Sequence, residues 1–183
     1  MCQQNKKFIK AAERILVISG AKGLTFKSLS NESGIKEEDF LENFKDEGEL
    51  IEILLMSFEI ELKEMLTDIS LQRLSPEEEV EVMFKRLYNL FRQKPWNLTI
   101  IFDNSLKQRF EGFDNAIFRI QTMAKRYLTS LIERGKKERV FETTENTKVL
   151  VADILGSFQS LMNDFQLGKK MINNLKKLQS DKD

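Results

Sequence analysis

An all-α chain is predicted by three observations. Apolar residues recur at three- and four-residue spacing through most of the sequence. Only two prolines and eight glycines interrupt 183 residues. β-branched residues form few clusters, which leaves little material for strands. The pattern predicts three short helices followed by six mostly longer ones, about nine helices in all. No internal repeat or low-complexity tract is present. The expected organisation is a three-helix head over residues 1–46 and a helical bundle over residues 47–183.

The first helix carries Phe8, Ala11, Ala12, Ile15 and Leu16 on one stripe, with Lys6, Lys7, Lys10 and Arg14 around it. Gly20 and Gly23 end it, and Thr25 is placed to cap a second helix, FKSLSNES. Gly34 then demands a tight turn before a third short helix from about Glu37 to Asn43, with Phe40, Leu41 and Phe44 as its apolar residues. Asp46 and Glu49 resemble the capping box of a long fourth helix. In that helix Ile51, Leu54, Leu55, Phe58, Leu62, Met65, Leu66 and Ile69 keep helical spacing.

SPEEE restarts the chain at Ser75: a serine cap, proline at the first helical position, and acids against the dipole. Val80, Met83, Phe84, Leu87 and Phe91 line the fifth helix. Pro95 begins a sixth through Trp96, Ile100, Ile101 and Leu106. A seventh runs from about Phe113 to Arg134, and RGKKERVFETTENT is a polar connector. Val151, Ile154, Leu155, Phe158, Leu161, Met162 and Phe165 mark an eighth helix. Met171, Ile172, Leu175 and Leu178 mark a short ninth, before SDKD frays.

Composition narrows the function classes. The chain holds 29 basic and 29 acidic residues, so overall charge predicts no polyanionic partner and any such surface is local. There is no histidine, and Cys2 is the only cysteine. No disulfide within the chain, thiolate cluster or imidazole metal site is therefore expected. With no Gly-rich phosphate loop either, no catalytic constellation, metal or cofactor is predicted, and an enzyme is not expected. The i, i+4 carboxylates Glu77 and Glu81 read as a solvated face. MCQQNKKF is followed by no apolar run, so no leader is expected, and no stretch of about 18 apolar residues would span a membrane. The amphipathic KKMINNLKK fits a helix at a dimer interface better than a membrane surface. The expected location is the cytoplasm.

A three-helix head whose second and third helices meet at a Gly-bearing turn is the helix-turn-helix arrangement. AAERILVISGAKGLTFKSLSNESGI resembles the opening of the tetracycline-repressor (TetR) family: a helix ending in Gly, a Thr at the next helix start, a buried Leu29, then Gly34 and Ile35. Phe44 and Leu50 fall at the family's usual Phe and Leu positions, and RGKKERVFETTENTKVLVADILGSF resembles its approach to the eighth helix. The resemblance covers the whole chain in organisation, with its specific motifs in the first fifty residues. It implies that Lys6, Lys7, Lys10, Lys27, Ser28, Lys36, Asn43 and Lys45 are candidates for contact with duplex DNA.

The departures from the family fall on the DNA-facing surface. Between Lys36 and Glu49 stand seven acids and two lysines. The family's tyrosine on the third helix aligns with Leu41, and its following lysine aligns with Glu47; both are usual phosphate contacts there. Acids stabilise a helix start through the dipole, but in a groove they meet phosphates.

For the larger part, the resemblance implies an internal ligand cavity and a homodimer formed by the last two helices. Ten of the fourteen Phe lie beyond residue 50, which suits a small hydrophobic or aromatic ligand. Tyr88, Trp96, Phe102 and Phe118 fall on the helices that line the cavity in the family. No later element covers the last two stripes, so Val151, Leu155, Gly156, Phe158, Met162, Ile172 and Leu175 are candidates for the dimer interface, the alternative being that both stripes pack onto the monomer core. Two readings follow: a ligand-responsive regulator, a repressor, that binds operator DNA as a dimer, or a protein of the same fold without DNA binding that serves as a hydrophobic-ligand or lipid-binding accessory factor.

Overall fold

The computed structural model describes residues 3–176, with the side chains of residues 3–5 and 107 set aside. Cys2, Leu178 and the SDKD end lie outside the described residues. Every regular element among the described residues is helical: α1 (Gln3–Ser19), a 3-10 turn (Ala21–Gly23), α2 (Phe26–Ser33), α3 (Glu37–Asn43), α4 (Glu47–Leu71), α5 (Pro76–Gln93), α6 (Trp96–Phe102), α7 (Ser105–Arg109), α8 (Phe113–Lys137), α9 (Thr147–Gly156), α10 (Phe158–Asn163) and α11 (Phe165–Lys176).

The fold class is the one that the periodicity predicts, but two expected helices are divided. At Asp103 the backbone turns extended, and the Asp103 carboxylate accepts the Ser105 N–H at 2.9 Å. That ends α6 and starts α7, where one helix through Leu106 was expected. Further on, a break at Ser157 separates α9 from α10. Asp164 is extended, and its Oδ1 accepts the N–H groups of Gln166 (2.8 Å) and Leu167 (3.3 Å). It therefore stops α10 and caps α11, so Phe165 opens the last helix instead of closing the eighth. At both aspartates a short polar side chain competes with the helix for backbone partners.

The chain forms two compact units, Met1–Ile60 with Lys94–Arg119, and Glu61–Gln93 with Ile120–Asp183. In the first, α1 packs on α2 and α6, and α2 on α3. Its centre is aromatic: the Phe8 ring lies 4.4 Å from Phe40 and 5.3 Å edge-on from Phe44, and Phe26 stacks on Phe40 at 6.0 Å. These rings fix the angles of the three helices, of which α2 and α3 are too short to stand alone.

In the second unit α5 packs on α10 and α11. Phe84 stacks on Phe165 at 5.6 Å, and Phe91 meets Phe158 edge-on at 5.5 Å. Gly168 lets α11 approach this far, because a Cβ there would overlap the Phe84 ring. Glu77 and Glu81 are exposed, as expected of a solvated face, and both also pair with Lys176 of α11, Glu77 at 2.9 Å.

Candidate nucleic-acid interface and ligand-contact residues

The head is built from local hydrogen bonds that its sequence specifies. Thr25 caps α2, its Oγ1 accepting the Ser28 N–H at 3.1 Å. In return the Ser28 hydroxyl accepts the Thr25 N–H at 3.0 Å and donates to the Gly23 carbonyl at 2.6 Å. Gly34 closes α2 in the left-handed region at φ 68°, where a side chain would be strained. Lys36 then leads into α3, which has no side-chain cap and carries Glu37, Glu38 and Asp39 in its first turn instead.

The structure brings α2 and α3 together across the Gly34 turn and leaves Lys6, Lys7, Lys10, Lys27, Lys36, Asn43 and Lys45 exposed. Ser28 is half-buried, and its hydroxyl is already engaged in the cap of α2. The Asn43 amide donates to the Asp39 carbonyl at 2.6 Å, along its own helix. Leu41, at the family's tyrosine position, is 59% exposed on the outer side of α3.

The acids of this segment divide into two groups. Asp46 Oδ1 accepts the Gly48 N–H at 2.8 Å and Glu49 accepts the Lys45 N–H at 3.0 Å, so both secure the start of α4. Glu47 accepts the N–H of Phe26, the first residue of α2, at 3.0 Å. Where the family places a phosphate-contacting lysine, this chain has a carboxylate that ties α4 to the start of α2. Four acids remain on α3 itself, Glu37, Glu38, Asp39 and Glu42.

α7 holds the head from another side. Arg109 donates to the carbonyls of Ala21 (2.6 Å) and Leu24 (3.1 Å) and lies over the Phe110 ring at 4.9 Å. Ser105, whose N–H the Asp103 carboxylate accepts at 2.9 Å, holds that carboxyl below its ordinary range. The C-terminal end of α7 thus engages the turn between α1 and α2. Nothing in the spacing of SLKQRF announces this role, because an exposed arginine reads as a surface charge.

The four ligand-contact candidates fall into different surroundings. Trp96 is buried and Phe102 half-buried in the first unit, and Phe118 is 69% exposed on α8. Tyr88, in the second unit, is half-buried, with its ring 4.7 Å from Phe165. Two buried polar groups are additional to these. Glu79, only 4% exposed, accepts the Tyr127 hydroxyl at 2.7 Å and pairs with Arg134. Burial, with Glu79 beside it, holds the Tyr127 hydroxyl far above the ordinary phenol range, so it stays a donor. Asn97, 1% exposed, has neither amide nitrogen nor oxygen hydrogen-bonded. Each such orphan costs about 1–3 kcal/mol. A signal for both existed: Glu79 precedes Met83 and Leu87 at four-residue spacing, and Asn97 precedes Ile100 and Ile101.

Of the dimer candidates, Val151, Met162, Ile172 and Leu175 are buried within the chain, and Leu155 and Phe158 are half-buried. Gly156 is exposed, with open space where a Cβ would stand. Val149 and Leu167 are further exposed apolar residues of α9 and α11.

The structure thus carries a capped helix-turn-helix on an all-helical chain. No protein-family model matches the chain, and no curated protein matches it by sequence. Solved structures do match it. The ketosteroid transcriptional regulator KstR2 of Mycobacterium tuberculosis superposes with a TM-score of 0.82 over 97% of both chains, at 14% identity. A TetR-family regulatory protein from Rhodococcus RHA1 gives 0.78 over 96% of this chain and 98% of its own, at 8% identity. AibR, solved in complex with isovaleryl coenzyme A and operator DNA, gives 0.76 over 95% and 98%, at 12% identity. The chain therefore has the fold of the TetR-family transcriptional regulators. Among the described residues no helix is long and apolar enough to cross a membrane.

Proposed function

We propose that the chain is a ligand-responsive transcriptional repressor that binds operator DNA as a homodimer in the cytoplasm. The observation that supports this best is the near-complete superposition on regulators, one of them solved on operator DNA, at a head whose α2–Gly34–α3 turn is intact. Residues 1–46 serve as the head and 47–183 as the ligand-binding and dimerising part. Lys6, Lys7 and Lys10 on α1, Lys27 on α2, and Lys36 and Lys45 beside α3 meet the phosphates. With four acids left on α3, affinity rests on these lysines more than on the reading helix.

The dimer forms through α9 to α11. Leu155, Gly156 and Phe158, together with the exposed Val149 and Leu167, supply the surface, while Val151, Met162, Ile172 and Leu175 support it from within. A small hydrophobic or aromatic molecule is the effector, with Trp96 and Phe102 of the first unit as candidate contacts. It acts by binding one spacing of the two heads better than another, and operator affinity changes by that difference.

Fluorescence anisotropy tests this reading, with duplexes from the gene's own upstream region and of random sequence at about 50 and 200 mM salt. Binding that weakens steeply with salt is expected. No binding to either duplex at low salt and micromolar protein would overturn the DNA-binding part.

A further inference from the structure

We propose that the Asn97 carboxamide is the polar anchor of the ligand site, and that the ligand is a small apolar molecule bearing a neutral donor–acceptor pair such as a carboxamide, lactam or urea edge. This rests on the ligand-binding reading above and assigns it a recognition group and a ligand class.

Asn97 is almost fully enclosed, and both ends of its amide lack a partner. Its own backbone N–H is satisfied by the Lys94 carbonyl at 3.1 Å, so the side chain is not needed to hold the start of α6. Buried amides are retained where something meets them, because an apolar residue of the same size would otherwise be more stable. An amide asks for one acceptor and one donor side by side. A ketone or a carboxylate would serve only the Nδ2 end, and a carboxylate would also set its charge against Oδ1. An ammonium would serve only Oδ1. A carboxamide-like edge satisfies both ends and brings no charge into the interior.

Two large apolar residues of the same helix, Trp96 and Ile100, are buried as well. α6 is seven residues long, bounded by Pro95 and the extended Asp103, and it packs on α1 of the head. A ligand held by Asn97 therefore acts on a short separate helix that packs on α1 and leads into α7, whose Arg109 holds the α1–α2 turn.

The test uses the full chain with benzamide, and with toluene as a probe of similar body and no polar group. The wild type should bind benzamide saturably, moving the side-chain NH2 resonances of Asn97 in 15N-correlated spectra. Asn97→Leu, which keeps the size, should bind benzamide about tenfold more weakly and toluene equally well. Resonances that stay in place as benzamide binds, without needing a variant, would overturn the assignment. So would equal benzamide affinity in Asn97→Leu. Uptake of toluene with no preference for benzamide would sink the anchor and leave the ligand-binding reading standing. Uptake of neither probe would count against both.

Discussion

Glu47→Lys separates two demands on the head. The substitution installs the phosphate-contacting lysine of the family and removes the carboxylate that accepts the Phe26 N–H at 3.0 Å. A charge-assisted bond to a helix-start N–H is worth about 1–2 kcal/mol at a part-buried position. A cation in the first turn of α4 costs about 0.3–1 kcal/mol more through the dipole. The sum, roughly 1.5–3 kcal/mol, corresponds to a Tm lower by about 3–12 °C in a protein of this size. Glu47→Gln keeps an acceptor and should lose about half as much. On DNA the direction reverses: one added phosphate contact steepens the slope of log K against log salt by about 0.9. Thermal melts followed by circular dichroism, and anisotropy over a salt series, read the two effects separately. A Tm within 1 °C of wild type would refute the structural role of Glu47. An unchanged salt slope in a folded variant would refute its placement against phosphate.

Arg109→Ala removes two charged hydrogen bonds to the Ala21 and Leu24 carbonyls. Unfolding free energy should fall by about 2–4 kcal/mol in urea titrations, with Arg109→Lys intermediate. Gly168→Ala drives a methyl into the Phe84 ring, and a loss of about 1–3 kcal/mol in the same titration is expected. Asp103 has a carboxyl pKa lowered from its ordinary 3.8, so its stabilisation is present above that value and disappears as pH falls through the lowered one. Asp103→Ala should therefore melt below wild type at pH 7, and the gap should narrow on acidification below about pH 4. Glu13 has a carboxyl pKa raised by burial, against the opposing pull of Lys94 and Lys10. Its contribution is present at low pH and lost as pH rises through the raised value, so Glu13→Gln should raise Tm at pH 7 and have no such benefit at pH 4.

Much of the fold was legible because helical spacing and caps are local. Thr25, Asp46 and Ser75 each begin a helix where the sequence predicts one, and Gly34 turns the chain between α2 and α3. The breaks at Asp103 and Asp164 were less visible, since an aspartate inside an apolar pattern reads equally well as a solvated position or a cap. At the head, the excess of acid was plain, but the pairing of Glu47 with Phe26 crosses from α4 to α2 and has no sequence period. The same holds for Arg109, whose carbonyl partners lie more than eighty residues upstream. Aromatic content beyond residue 50 could not separate Phe118, which is exposed, from Trp96, which is buried, because both sit at helical spacing next to apolar neighbours.

Selection of bound sequences from a random duplex pool by the full-length protein tests the central claim most directly. A dimeric regulator should enrich an inverted repeat whose half-sites lie about one helical turn, or a multiple of it, apart. Retention of duplexes without any enriched sequence, or no retention at low salt, would contradict the claim that this chain reads an operator.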